Sequence, residues 1–186
     1  MLPNEKLDWQ VLATEPAGDY GVFRVTRQQA VHPGSGSSQN FSVIDCPDWV
    51  NVLALTEDRQ VVFVRQYRPG VRRVTLELPG GVIEPGEPPG GAARRELAEE
   101  TGYGAQGWHE LGFVEPNPAL QGNRCWTFLA LHATPTQAPR PDEDEIVEVV
   151  TRPLTDLTNL VASGEITHSL VVAAFQLYGL WSERRG

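Results

Sequence analysis

Residues 80–103, GGVIEPGEPPGGAARRELAEETGY, constrain this chain more than any other stretch. The segment RVTLEL before it alternates like a strand and stops at Pro79-Gly80-Gly81. A loop dense in Gly and Pro follows, and the spacing then predicts a helix from about Pro89 to Thr101, with Gly102 as its C-terminal stop. At about 100° per residue, Glu99 and Glu100 fall within about 60° on either side of Glu96, so three carboxylates share one helical face. Like charges three and four residues apart repel, and the helix loses a few tenths of a kcal/mol per pair unless something neutralises them. Mg²⁺ or Mn²⁺ suits that face, because hard divalent cations take carboxylate oxygens and keep coordination sites for a phosphate. Arg95 lies on the flank of the arc, placed to pin a carboxylate rotamer, while Ala93 and Leu97 on the other flank pack the helix against a sheet. A solvated acidic face is the plainer account of most such triples.

Strand patterns at 21–32 and 41–46 precede this segment, and VNVLALT and VVFVRQY flank a polar EDRQ turn as a hairpin. Further strands are expected at 108–114, 124–132 and within IVEVV, then two helical patterns from Leu154 onward, broken at Ser163-Gly164. With 186 residues and no internal repeat, one α/β domain is expected: residues 1–46 as an N-terminal β arm, 47–186 as the main domain. The formal charge of −9 argues against nucleic acid or an anionic membrane as partner and leaves a small anion bridged by a cation. The absence of a signal pattern or a spanning apolar run predicts a soluble, cytoplasmic protein. Cys46 and Cys125 lack metal or disulfide spacing and read as two buried thiols.

The stretch resembles the Nudix box. Gly81, five residues, Glu87, seven residues, Arg95-Glu96, an aliphatic Leu97, one residue, Glu99-Glu100, one residue and Gly102 occupy every fixed position, with Tyr103 in the last slot instead of Ile, Leu or Val. The resemblance implies an α/β/α sandwich with a mixed sheet, hydrolysing a nucleoside diphosphate linked to a second moiety. It also implies metal ligation by Glu96 and Glu100, assistance from Glu99, and a further ligand from the Gly80 carbonyl.

The flanks VRQYRPG and TLELPGG and the closing SGEITHSLVVAAF resemble the branch that cleaves ADP-ribose and nucleoside-diphosphate sugars, as does Pro118 or Pro116 beyond the box. Dinucleoside polyphosphates, NADH and a non-catalytic nucleotide sensor are the alternatives. Arg65 and Arg68 are candidates for contact with phosphate or the terminal ribose, against the reading of surface arginines at a strand end. Glu77 is a candidate for a ribose hydroxyl or an outer metal, and Trp49 either stacks a base or belongs to the core. The branch takes its general base from an acidic loop before a late strand. That places Glu143 first and Asp142, Asp144 and Glu145 as rivals, in a loop that is otherwise solvated acid. Related enzymes form homodimers through such an N-terminal arm. His32, His109, His132 and His168 show no ligand spacing and receive no role.

Overall fold

The computed structural model describes residues 7–141 and 145–185. They fall into two compact units, 1–47 with 117–123, and 48–116 with 124–186.

The first unit is an antiparallel meander of β1 (Gln10–Asp19), β2 (Arg24–Val31) and β3 (Ser38–Asp45), in the order β1-β2-β3. β1 escaped the sequence reading. It carries Pro16 and Gly18, breaks register twice against β2, and is exposed along nearly its whole length, so no in-out alternation marks it. Cys46 is half-buried, unlike the buried Cys125 of the second unit, so the expected pair of buried thiols holds for one member.

The second unit is an α/β/α sandwich. β4 (Trp49–Leu55) and β9 (Cys125–Leu131) pair in parallel at its centre, in continuous register from Trp49↔Cys125 to Leu55↔Leu131. Both are almost unbroken apolar runs, as strands covered on both faces must be. Around them stand β5 (Gln60–Arg68), β6 (Arg73–Glu77), β8 (Gly107–Val114) and β11 (Val147–Pro153), in the order β11-β5-β4-β9-β8 with β6 on β5. β7 (Tyr103–Gly104) and β10 (Thr134–Pro135) form a separate two-residue pair.

Alternation along β4 divides the core. Val50, Val52 and Ala54 pack with Ala92, Ala93 and Leu97 of α1 (Pro89–Thr101) on one face. Leu53 and Leu55 pack on the other with Leu160 of α2 (Leu157–Ala162) and Val171 of α3 (Ser169–Glu183). Tyr103, in the box's last slot, joins the α1 side as a packed apolar ring.

β4 and β5 pair only at Ala54↔Val62 and Leu55↔Val61. Beyond that point β6 takes over the edge of β5, from Val64↔Glu77 to Arg68↔Arg73. The chain after β6 takes over the edge of β4: Val52 N donates to Pro79 O at 2.8 Å and Val50 N to Gly81 O at 2.9 Å. The sheet therefore parts between β4 and β5, and the segment Pro79–Gly81 runs in the gap beneath α1.

Candidate active site

A cavity of about 670 Å³ opens where the sheet parts. One wall is the acidic face of α1 and the strap Gly80–Gly81. The strap needs glycine for close approach rather than for unusual dihedrals, since neither residue has a positive φ. A Cβ on Gly80 would stand 2.1 Å from Val50 O, and one on Gly81 would stand 2.4 Å from a carboxylate oxygen of Glu96.

Arg95 organises this wall. Its guanidinium donates to Glu87 Oε1 at 3.1 Å and Oε2 at 3.0 Å, to Glu96 Oε1 at 2.8 Å, to Glu99 Oε2 at 3.1 Å and to Val82 O at 3.0 Å. The predicted pinning of one rotamer is thus a clamp on two box carboxylates and on the loop carrying Glu87. Hydrogen bonds to Glu87 come first in holding the guanidinium above its ordinary value, with Glu96 and Glu99 adding to them. Glu87 is drawn down by the same bonds.

Glu100 is the deepest of the three acids and accepts from Gly80 N at 2.9 Å. Burial, with repulsion from Glu96 and Glu145, pushes its carboxyl up to about 8, against the pull of Gly80 N–H and Arg68. Burial also raises Glu96, which Arg95 opposes.

Among the described residues, no three Asp, Glu, His or Cys side chains are already gathered around one point as a metal site. The donor set nevertheless suits a hard divalent cation. Glu96 Oε2, Glu99 Oε1 and Glu100 Oε1 have no hydrogen bond among the described residues, and Glu100 is buried without a positive partner of its own.

The facing wall comes from β5 and β6. Arg68 grips Glu77 bidentately, Nε to Oε1 at 3.0 Å and Nη2 to Oε2 at 2.9 Å. Thr75 Oγ1 adds a bond to Glu77 Oε1 at 2.5 Å. Burial alone would raise Glu77, but the bonds from Arg68 and Thr75 outweigh it and hold the carboxyl below its ordinary value. Arg68 and Glu77 thus meet in the cavity, and half-buried Trp49 lines it too. Arg65 does not. It lies on the opposite face of β5 and pairs with Glu148 of β11 at 3.0 Å.

Asp142, Glu143 and Asp144 lie outside the described residues. Glu145 lines the cavity, and Gln66 Nε2 donates to its Oε1 at 3.4 Å.

Among the cavity residues to which the sequence reading gave no role are His168 and Asn51. His168, given no role, caps α3: its Nδ1 accepts from Leu170 N at 3.3 Å, leaving the proton of a neutral ring on Nε2, 3.9 Å from Glu77 Oε2. A polar residue just ahead of an apolar helical run was the available signal. Asn51 also lines the cavity, and nothing in its strand context marked it. Among the described residues, the buried side-chain atoms without a partner are Asn51 Nδ2 and Gln66 Oε1, each a cost of roughly 1–3 kcal/mol if its bond is left unmade. Cys125 reaches the cavity as well, and burial, with Asp48 nearby, pushes its thiol up to about 12, which disfavours the thiolate.

The NUDIX domain model matches residues 47–175. The chain is 34% identical to the ADP-ribose pyrophosphatase of Bacillus subtilis (strain 168), over 76% of this chain and 77% of that one. It is 27% identical to the ADP-ribose pyrophosphatase of Mycobacterium tuberculosis (strain ATCC 25618 / H37Rv), over 89% of this chain and 81% of that one. A crystal structure of an ADP compounds hydrolase superposes with a TM-score of 0.85 over 96% of each chain at 24% identity, a likeness of fold. The chain belongs to the Nudix hydrolase family. Hydrolases of this family depend on a divalent metal.

Proposed function

We propose that this Nudix hydrolase is a Mg²⁺-dependent pyrophosphohydrolase of ADP-ribose or a related nucleoside-diphosphate sugar, with Mn²⁺ able to replace Mg²⁺. The observation carrying the reading is the buried Glu100, with Glu96 and Glu99 beside it, facing a cavity whose other wall offers Arg68, Glu77 and Trp49. Its resemblance to two ADP-ribose pyrophosphatases supports the choice of substrate.

In this reading Glu96, Glu99, Glu100 and the Gly80 carbonyl hold the cation. When bound, it neutralises the diphosphate and makes water a stronger nucleophile. Arg95 keeps the carboxylates in place through its clamp, and Arg68 and Glu77 orient the sugar end. Water adds to one phosphorus and the bridging P–O bond breaks, giving a nucleoside monophosphate and a sugar phosphate. The water's proton passes to an acid of the 142–145 loop, Glu143 first among them, with Asp142, Asp144 and Glu145 as rivals. Glu143→Gln is expected to lower kcat strongly with KM within a few fold. If all four single amide variants keep wild-type kcat, the base lies elsewhere and Glu99 is next.

The same proposal has residues 1–46 act as an arm that joins two chains in a cytoplasmic homodimer. Exposed Leu7, Val11, Leu12, Tyr20 and Val22 support an apolar contact there. Among the described residues, no helix is long and apolar enough to cross a membrane. A sedimentation mass of 20.5 kDa at micromolar concentration would contradict the dimer.

The deciding experiment is turnover of a panel of ADP-ribose, other nucleotide sugars, dinucleoside polyphosphates and NADH, read by release of phosphatase-sensitive phosphate. ADP-ribose or another nucleotide sugar is expected to be the best substrate in Mg²⁺, with turnover abolished by chelation. Full turnover after exhaustive chelation sinks the metal reading, and a clear preference for dinucleoside polyphosphates or NADH sinks the substrate reading.

A further inference from the structure

His168 carries a donor at the cavity wall that no protein group satisfies. One end of its ring is fixed: Nδ1 accepts from Leu170 N at 3.3 Å, so in the neutral ring the proton sits on Nε2. The backbone ahead of it is anchored too. Ile166 is buried in the core, and Thr167 Oγ1 accepts from Arg73 Nη2 of β6 at 2.6 Å. Nε2 makes no hydrogen bond among the described residues, yet it is not one of the unpartnered atoms closed to solvent. The side chain is 33% exposed and lines the cavity, so a ligand can reach it.

The group facing this donor decides what it can hold. Glu77 Oε2 lies 3.9 Å from Nε2, beyond the reach of a direct hydrogen bond. Glu77 Oε1 accepts from both Arg68 Nε and Thr75 Oγ1, whereas Oε2 accepts only from Arg68 Nη2. Oε2 therefore keeps a lone pair beside the unspent Nε2–H. Arg68 and Thr75 hold the carboxyl below its ordinary value, so near neutral pH it only accepts. One oxygen about 2.8 Å from each atom fits the gap, accepting from the imidazole and donating to the carboxylate. A phosphate oxygen has no proton to give and meets Glu77 as like charge. A hydroxyl does both.

We propose that His168 binds substrate, its Nε2–H and Glu77 Oε2 together gripping one hydroxyl of the sugar carried by the diphosphate. The inference rests on the nucleotide-sugar reading above and adds a residue that reads the sugar. A donor and an acceptor set at one hydroxyl discriminate against a sugar lacking it, because both are then left unpaired. Fixing the sugar also fixes the diphosphate beside it, a gain in positioning and not in proton transfer.

His168→Asn separates the two ends of the ring. An asparagine oxygen still caps α3, while the shorter amide falls short of the hydroxyl. The probes are the best nucleotide sugar of the panel and its analogues lacking one hydroxyl of the terminal sugar at a time, run in Mg²⁺ with a thermal melt alongside. Wild type is expected to lose roughly 10- to 100-fold in kcat/KM on one analogue, as for a hydroxyl bonded to a charged group. His168→Asn is expected to keep its Tm, to lose roughly 3- to 10-fold on the parent sugar, and to match wild type on that analogue. His168→Ala should give the same kinetics with a lowered Tm, from the lost cap. An equal loss on the parent and on every analogue overturns the assignment, since a packing role or a bridging water gives that result. So does kcat/KM on the parent within about twofold of wild type in both variants. A wild type that cleaves dinucleoside polyphosphates and no nucleotide sugar sinks the substrate reading and this inference together. Cleavage of a nucleotide sugar without the coupling at His168 sinks the inference alone.

Discussion

Two glutamates in the cavity are almost equally closed to solvent and are shifted in opposite directions. Glu77 is 4% exposed and Glu100 is 3% exposed. Glu77 lies below its ordinary value because Arg68 and Thr75 outweigh burial, while burial and its acidic neighbours lift Glu100 to about 8. Their exposure is alike but Glu100 is the more closely surrounded, so deeper desolvation adds to the main difference, which is who supplies positive charge. β5 and β6 bring their own counter-charge, a fork-to-fork ion pair complete within the fold. α1 commits its nearby arginine to Glu87, Glu96 and Glu99 and leaves Glu100 with one backbone N–H. A buried carboxylate left in that condition is what the proposed cation would satisfy.

The largest effect should follow from removing the charge at that place. Glu100→Gln keeps shape and loses the anion, so kcat is expected to fall by about 10³ or more, comparable to stripping the metal by chelation. Kinetics on the best substrate of the panel check this. Near-wild-type turnover in Glu100→Gln would break the contrast, because Glu100 would then need no cation.

Next in size is the loss of the internal partner on the other wall. Arg68→Ala strands Glu77, whose side chain is 5% exposed, and should cost about 3 kcal/mol in denaturant unfolding. Adding Glu77→Gln should return part of that, since the stranded charge disappears with it. If Arg68→Ala unfolds like wild type, the pair belongs to substrate binding alone.

pH separates the two glutamates by sign. Glu100 binds a proton more tightly folded than unfolded, so metal-free stability from this group is full below its ordinary 4.5 and is lost as pH rises to about 8. Glu77 runs the other way: its contribution is present above 4.5 and is lost as pH falls toward its lowered value. Melting curves of the metal-free protein from pH 4 to 9 should show the alkaline loss, flattened by Glu100→Gln and by saturating Mg²⁺. An alkaline slope unchanged in Glu100→Gln would assign it to another group.

The same division explains what the sequence disclosed. The α1 wall is contiguous: glycine strap, Arg95 and the three glutamates fall within a short span, and helical spacing alone puts them on one face. Its clamp was half-legible, because Glu87 reaches Arg95 through the loop's return and not through periodicity. The other wall is assembled by topology. Asn51 comes from the middle of β4, Glu77 from the end of β6 and His168 from the cap of α3, and only the parting of β4 from β5 brings them to one cavity. β4 and β9 were legible as apolar runs, whereas β1 was not, since a strand exposed on both sides leaves no alternation to read.

The smallest effect tests the same strand from its other side. Arg65 and Arg68 are three residues apart on β5, and both were candidates for substrate contact. The pleat turns Arg68 toward Glu77 and the cavity, and turns Arg65 toward Glu148 on β11, where the two side chains are 48% and 64% exposed. An ion pair so open to water is worth about 0.2–1 kcal/mol and is screened by salt. Arg65→Ala should therefore leave kcat/KM within about twofold and cost at most about 1 kcal/mol in unfolding, with that cost shrinking in high salt. Parallel unfolding and kinetic runs of Arg65→Ala and Arg68→Ala at low and high salt make the comparison direct. A tenfold loss of kcat/KM in Arg65→Ala would mean that substrate spans both faces of β5, which the parted sheet allows only at its β6 end. Counter-charge would then be shared across the strand, and the self-sufficiency of the Arg68–Glu77 wall would no longer explain why Glu77 titrates low.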